Sequence, residues 1–302
     1  MSGTKLPGFV CVGAAKCGTT SLYHYLKGHP DIFLTEQKEL HFFSSEDLLE
    51  RPNGPGMRYV LEDIIRSEEE YRALFSDVPD NAISGDISPS YLNSPSAASR
   101  IKDLLGDVRI IIMLRDPVDR MYSQYMHLRR AAREDLDFEA ALAAEDSRFA
   151  QGWGDMWLYR RSAMSADSVG RYFDTFGRDN VKVILASEMR KDTLGTVMSI
   201  QEFIGVAPRS DLDLEGEFNR SGLPKSRLVA RALDASPLAT FAKKVVPRGI
   251  GAAVKRKLQE MNTGERMVLS AEDRAKYASI FSEDTRRLEA LLGRELPWGK
   301  PS

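Results

Sequence analysis

Cysteine is the first scarcity. The 302 residues hold two, Cys11 in an apolar run and Cys17 in the small-residue turn after it, and this supports no disulfide framework. Long hydrophobic runs are missing as well. None approaches the length of a membrane span, and the amino terminus shows no apolar segment of the signal-peptide kind. Charge of one sign is equally lacking: 42 Lys and Arg stand against 44 Asp and Glu, and a formal net charge of −2 exerts no global pull on nucleic acid. Internal repeats and low-complexity tracts are also absent. The expectation is a soluble protein of a reducing, cytoplasmic compartment, with no membrane span and no nucleic-acid partner. Apolar residues make up 42% of the chain, enough for a sizeable core. We expect one domain over residues 1–302, with a core at about 6–222 and a helical carboxyl-terminal part at about 223–302.

What is present begins near the amino terminus. Phe9-Val10-Cys11-Val12 reads as a buried strand bounded by glycines. A turn of small residues follows, and residues 21–26 open a helical pattern. Strand, glycine-bearing loop and helix form a phosphate cradle. Backbone N–H groups and the positive end of a helix converge on an anion there, and Thr19, Thr20 and Ser21 add hydroxyl donors. Gly13 and Gly18 keep the G-x-x-x-x-G spacing of a Walker A loop, yet Thr19 stands where a nucleotide triphosphatase needs lysine. Lys16 lies inside the loop instead and leans over a different atom of the anion. The plainer alternative is a tight turn with an incidental lysine; Cys17 reads either as a reactive thiol or, more simply, as a small side chain filling that turn.

Strands and helices alternate through the rest of the chain. Gly28 and Pro30 end the first helix, Gly28 as a left-handed cap. Residues 31–34 form a short extended piece that delivers Lys38-Glu39-Leu40-His41-Phe42-Phe43. Residues 44–57 read as loop, and Ser67 with Glu70 as a capping box opening a helix through Phe75. Residues 82–86 read as a strand with Ser88-Pro89-Ser90-Tyr91 at its end, and Ser94-Pro95 starts a helix to about Leu105. The strongest strand is 108–114, suited to the middle of a parallel sheet. It stops at Arg115-Asp116-Pro117, and a helix runs on through Ser123 and Leu128. Residues 181–185 are a further strand, 193–204 a helix closed by Gly205, and 271–292 a last helix. The fold class is therefore α/β, a P-loop-like central parallel β-sheet flanked by helices, with a helical C-terminal extension. Between residues 224 and 260, nine Lys or Arg accompany two Asp or Glu, either a solvated helical face or a contact for an anionic acceptor.

Ligands of open α/β sheets sit at the carboxyl ends of the strands. Three polar sets fall there: the Lys16 loop, residues 86–91, and Arg115 with Ser123. An arginine fork with a hydroxyl makes a receptor for a second phosphate. Standing alone, Arg115 reads equally well as an ion pair with Asp116 or Asp119. Together the sets point to a ligand carrying phosphates at two ends. Glu39 and His41 are rival proton acceptors, and in an extended segment positions two apart face one side, so pattern does not separate them. Lys38 reads either as a contact for sulfonate or acceptor or as a solvated lysine, and the same alternation, which faces it away from Glu39, favours the second. Trp153, Trp157 and Tyr159 either stack on an acceptor ring or fill the core under a helix.

G-A-A-K-C-G-T-T-S, then H-P-D-I, K-E-L-H-F-F, G-D-I-S-P-S-Y-L and I-I-I-M-L-R-D-P-V-D-R-M-Y-S-Q-Y follow in order, with V-I-L-A-S-E-M and L-L-G-R-E-L-P-W later. This series resembles the sulfotransferases that use 3′-phosphoadenosine 5′-phosphosulfate (PAPS), most closely bacterial members related to heparan sulfate and carbohydrate sulfotransferases. The resemblance covers nearly the whole chain. It implies that Lys16, Cys17, Gly18, Thr19, Thr20 and Ser21 hold the 5′-phosphosulfate, and that Arg115 and Ser123 hold the 3′-phosphate. It implies Glu39 as the catalytic base, with Lys16 at the bridging oxygen of the leaving phosphate and His41 as a supporting group or rival base. PAPS is then the donor and its desulfated form, PAP, the product, with no metal. The acceptor is a small molecule, lipid or carbohydrate. Arg220 and Lys225 fall where a late nucleotide-covering loop is expected. The chain departs from the vertebrate glycan-modifying relatives in three ways: Ile87 replaces a lysine, the cysteines cannot form a late disulfide hairpin, and no membrane anchor is evident. The alternative is a P-loop kinase or nucleotide triphosphatase, which needs the missing Walker lysine and an aspartate, not Arg115, after a buried strand. A non-catalytic nucleotide-binding module is a third reading, for which the Glu39 and His41 cluster has no use.

Overall fold

The structure, a computed structural model, describes residues 5–214 and 269–298. Its strands are β1 (Phe9–Gly13), β2 (Ile32–Leu34), β3 (Ile83–Ile87), β4 (Arg109–Leu114) and β5 (Val181–Leu185). They form one parallel sheet in the order β2-β3-β1-β4-β5. The apolar runs expected of buried strands are its centre: every residue from Ile110 to Met113 is fully buried, as are those from Phe9 to Val12. Chain leaves β1 toward β2 and β3 on one side, and β4 and β5 lie on the other. The carboxyl end of β1 is therefore a switch point where a crevice opens.

The helices in chain order are α1 (Thr19–Lys27), α2 (Ser45–Glu50), α3 (Met57–Glu62), α4 (Glu68–Ala73), α5 (Ala97–Leu105), α6 (Pro117–Arg130) and α7 (Phe138–Ala143). They continue with α8 (Glu145–Ala150), α9 (Tyr159–Ala163), α10 (Ala166–Phe176), α11 (Ala186–Lys191), α12 (Thr193–Ile204), α13 (Ala271–Ala278) and α14 (Ser282–Leu292). Two capping signals act where the sequence places them: Ser67 and Glu70 close a capping box on α4, and Gly205 ends α12 at φ 88°. At α6 the structure adds a cap that the sequence reading did not name, Asp116 accepting from first-turn N–H groups ahead of Pro117.

Four expectations change. Gly28 caps α1 in the right-handed region, at φ −73°, not the left-handed one. Residues 44–57 are not all loop. They contain α2, whose Asp47 binds the N–H and hydroxyl of Ser96 and the hydroxyl of Ser94, so a helix too short to stand alone is held by tertiary bonds. Ser94 still caps the next helix, through Ala97 N–H at 3.1 Å, but α5 starts two residues later than Pro95 implied. The last helix divides into α13 and α14. Tyr277 and Phe281 face the α6 cluster, whereas Leu288 faces the sheet cluster, and one straight helix cannot serve both. Two tiers of core result, and Asp284 of α14 caps α10 through Ser165 and Ala166 N–H.

Residues 38–43 rest on a shelf of aromatic rings. Phe42 stacks on Tyr71 at 4.4 Å, and Phe43 meets Tyr71 and Tyr91 edge-on. Beneath the rings the carboxyl group of Asp86 is buried and accepts from Ser88 Oγ at 2.7 Å, Tyr91 Oη at 2.8 Å and Tyr71 Oη at 3.1 Å. Burial pushes Asp86 up to about 6 despite the opposing pull of these three donors. A raised carboxyl binds its proton more tightly folded than unfolded. The stability it contributes is complete below the ordinary carboxylate value and lost as pH rises through about 6. Asp86→Asn should therefore flatten the dependence of unfolding free energy on pH between about 4 and about 6, measured by urea titration. An unchanged slope would remove Asp86 as its source. Tyr71→Phe should cost about 1.5–3 kcal/mol at pH 7, as for a donor lost to a buried charged group.

Candidate active site

The cradle forms where β1 runs into α1. Gly13 sits at φ 147°, and a Cβ there would lie 2.8 Å from Leu92 Cβ and 2.9 Å from the Pro89 carbonyl. Only glycine fits this close approach. Gly18, at φ 101°, is the cap from which α1 starts, and the two glycines bracket Lys16, itself left-handed at φ 67°. Ala14 N–H donates to Met113 O at 2.7 Å and fixes the loop to the end of β4. Cys17 spends both donors inside the turn, its N–H on Ala14 O and its thiol on Ala15 O. It shapes the loop from a buried position that pushes its thiol up. Arg120, wholly buried on α6, holds the loop from below through Ala15 O at 3.2 Å and Ser165 Oγ at 3.3 Å.

Arg115 leaves the end of β4 toward this loop, with Nη1 3.5 Å from Lys16 O. Its ion pair with Asp119 is loose at 3.6 Å, because Asp119 is engaged by Arg274 of α13, which also lies 3.6 Å from Asp116. Arg115 Nε is buried and has no hydrogen-bond partner among the described residues. Such an orphaned donor is costly unless a ligand takes it up. Ser123 follows Asp119 by one turn on the same side of α6, and His127 and Arg130 extend that stripe. The last two are site residues that sequence reading missed. The signal was there, since i, i+4 and i+7 from Ser123 point the same way.

Lys16 is therefore surrounded by cations. Burial, then Arg130 and Arg115, push its ammonium down to about 8, against a pull upward from Glu39. The charge of Lys16, with burial and with Arg130 and Arg133, holds His127 well below the ordinary histidine value. Glu39 faces the loop across the crevice. Its half-buried carboxylate makes no hydrogen bond or ion pair among the described residues. His41 is committed instead: its Nδ1 lies 2.8 Å from Ser90 Oγ, which in turn lies 2.8 Å from Ser44 Oγ.

Residues 38–41 are not extended. Glu39 and His41 take left-handed backbone at φ 57° and 56°, so the alternation rule does not apply. Lys38 consequently points inward, not to solvent, and donates to Thr20 Oγ1 at 3.1 Å. Trp157 and Tyr159 are fully buried in the cluster under α6 and belong to the core, while Trp153 packs edge-on to Trp157 from the rim. Arg220, Lys225 and the basic stretch 224–260 lie outside the described residues.

Residues 7–211 match the sulfotransferase family. The chain belongs to that family. A sulfotransferase from Alicyclobacillus acidocaldarius superposes with a TM-score of 0.76 at 36% identity, over 96% of this chain and 97% of that one. The chain is also similar to human heparan sulfate glucosamine 3-O-sulfotransferase 3B1, 26% identical over 74% of this chain and 52% of that protein. Similarity to the membrane-associated sulfotransferase kil1 of Dictyostelium discoideum reaches 35% over 40% of this chain and 22% of that protein. The chain thus spans about half or less of the length of these two curated relatives. No described helix is long and apolar enough to cross a membrane. Family and fold are those of sulfotransferases.

Sulfate, fully ionised across the neutral range, probes the cradle directly. Lys16 loses its charge as pH rises through about 8, so sulfate affinity should fall between about pH 7 and about pH 9. In Lys16→Arg, whose guanidinium stays charged, that fall should vanish. Competition with a fluorescent anion measures both. A parallel decline in the two proteins would assign the titration to another group.

Proposed function

We propose that this sulfotransferase moves the sulfuryl group of PAPS to a hydroxyl or amine of a small-molecule, lipid or carbohydrate acceptor by in-line displacement. The observation that carries the reading is the uncommitted carboxylate of Glu39 within electrostatic reach of Lys16 across the crevice. A base and a cation facing one another have a use when a proton leaves one end of a reacting group and charge builds at the other. The orphaned Nε of Arg115 fits a donor with a second phosphate.

In this reading the loop amides around Lys16 and Gly18, with the hydroxyls of Thr19, Thr20 and Ser21, hold the 5′-phosphosulfate end. Arg115 and Ser123 hold the 3′-phosphate. Glu39 takes the proton of the acceptor as its oxygen or nitrogen attacks sulfur. The bond from sulfur to the bridging phosphate oxygen breaks, the electron pair stays with the departing bisphosphate, and Lys16 offsets that charge. His41, fixed by Ser90 and pushed down by burial, orients this side of the site and does not take the proton. The carbohydrate option draws on relatives named as heparan sulfate sulfotransferases. The kinase alternative is disfavoured by Thr19 in the Walker lysine position and Arg115 at the end of β4.

Calorimetry tests donor recognition. PAP should bind in the presence of EDTA, and Arg115→Ala should weaken it about tenfold or more, the loss of a charged hydrogen-bonding partner. No binding until Mg²⁺ is added would sink the reading. Turnover of labelled PAPS against a panel of acceptors tests the base. Glu39→Gln should lower the rate by about 10²-fold or more with PAP affinity retained, and His41→Gln should do less. The opposite ranking would exchange the two roles.

A further inference from the structure

Tyr23 of α1 carries a lysine on each side. Lys27 lies 5.5 Å from the ring centroid and is paired with Glu36 at 2.7 Å on the exposed surface. Lys38 lies 5.1 Å from the same ring, half-buried, and has no ion pair among the described residues. Its one hydrogen bond is to Thr20 Oγ1 in the first turn of α1. A four-carbon stem could carry that ammonium out to water. The left-handed turn at Glu39 directs it into the crevice instead, where burial pushes its pKa down. On the opposite side the end of β3 offers no cation: the buried Ile87 borders the same small cavity as Lys38, Glu39 and Asp86. An ammonium with one hydrogen bond, to a cradle hydroxyl, therefore stands within electrostatic reach of the Glu39 carboxylate.

We infer that Lys38 is a second active-site cation, whose ammonium binds the sulfuryl oxygens of the donor between the Lys16 loop and Glu39. This rests on the sulfotransferase reading. Lys38 keeps its proton throughout, while Glu39 receives the acceptor proton and the bisphosphate leaves with the electron pair. Its work is electrostatic and is confined to the sulfuryl end, because Lys16 already faces the bridging phosphate oxygen and Arg115 the far phosphate. The desulfated product lacks the group that Lys38 binds.

The ratio of PAPS to PAP affinity isolates the effect, and it needs no acceptor. Both nucleotides are titrated calorimetrically into the parent, Lys38→Met and Lys38→Arg, with melting temperatures recorded for each. Lys38→Met should lose PAPS affinity by about tenfold or more while PAP affinity stays within about threefold, and Lys38→Arg should keep most of the preference. Equal losses for the two nucleotides would make Lys38 a prop for Thr20 and overturn the inference. Unchanged affinities for both would overturn it as well. Should Lys38→Met fail to fold, Lys38→Gln takes its place with the same criteria. A parent that binds neither nucleotide would overturn the proposed use of PAPS itself. A parent that binds both, with an unaltered ratio in the variants, would overturn Lys38 alone.

Discussion

Crowding of positive charge around Lys16 is the constraint on which the site depends. An ammonium in a half-buried loop, with Arg115 and Arg130 nearby, is poorly placed unless an anion joins it, and its depressed pKa records that cost. The protein offsets part of it with Glu39 and keeps His127 neutral. What remains is differential: a multiply charged anion relieves it, and water does not. The cradle is preorganised for charge that arrives with the ligand.

Rigid backbone makes that crowding possible. Gly13 and Gly18 turn the chain where a side chain would collide or strain, and buried Arg120 anchors the loop through Ala15 O. Arg274, reaching from α13, occupies the carboxylate of Asp119 and so leaves the guanidinium of Arg115 underused. A carboxyl-terminal helix thus tunes a residue at the end of β4. On the other wall, Asp86 and the rings of Tyr71 and Tyr91 support the segment that carries Lys38, Glu39 and His41. A carboxyl group at the bottom of that shelf, raised to about 6, couples its packing to pH.

The strands and the glycine-bearing loop were readable because each signal is local. An apolar run between glycines or a capping box specifies its own conformation whatever lies nearby. Contacts distant in sequence were not readable. The helix α2 exists because Asp47 binds Ser94 and Ser96, and the break between α13 and α14 exists because two clusters compete for one helix. The solvated role favoured for Lys38 failed for a related reason. Period-two alternation presumes extended backbone, and residues 39 and 41 are left-handed.

Primary structure alone was enough for the α/β class, the positions of the strands, the strand-loop-helix turn at residues 13–21 and the family, since each rests on residue types at short spacing; the order that puts β1 at the centre came from the fold. Spacing did not separate Glu39 from His41, which only the family resemblance ranked, and alternation weighed Lys38 toward solvent. Folding separated them: Ser90 ties down His41, nothing described binds Glu39, and Thr20 receives Lys38. The reason is physical. A side chain's type is written at its own position, but its charge state and freedom are set by neighbours that arrive from the ends of other strands and helices.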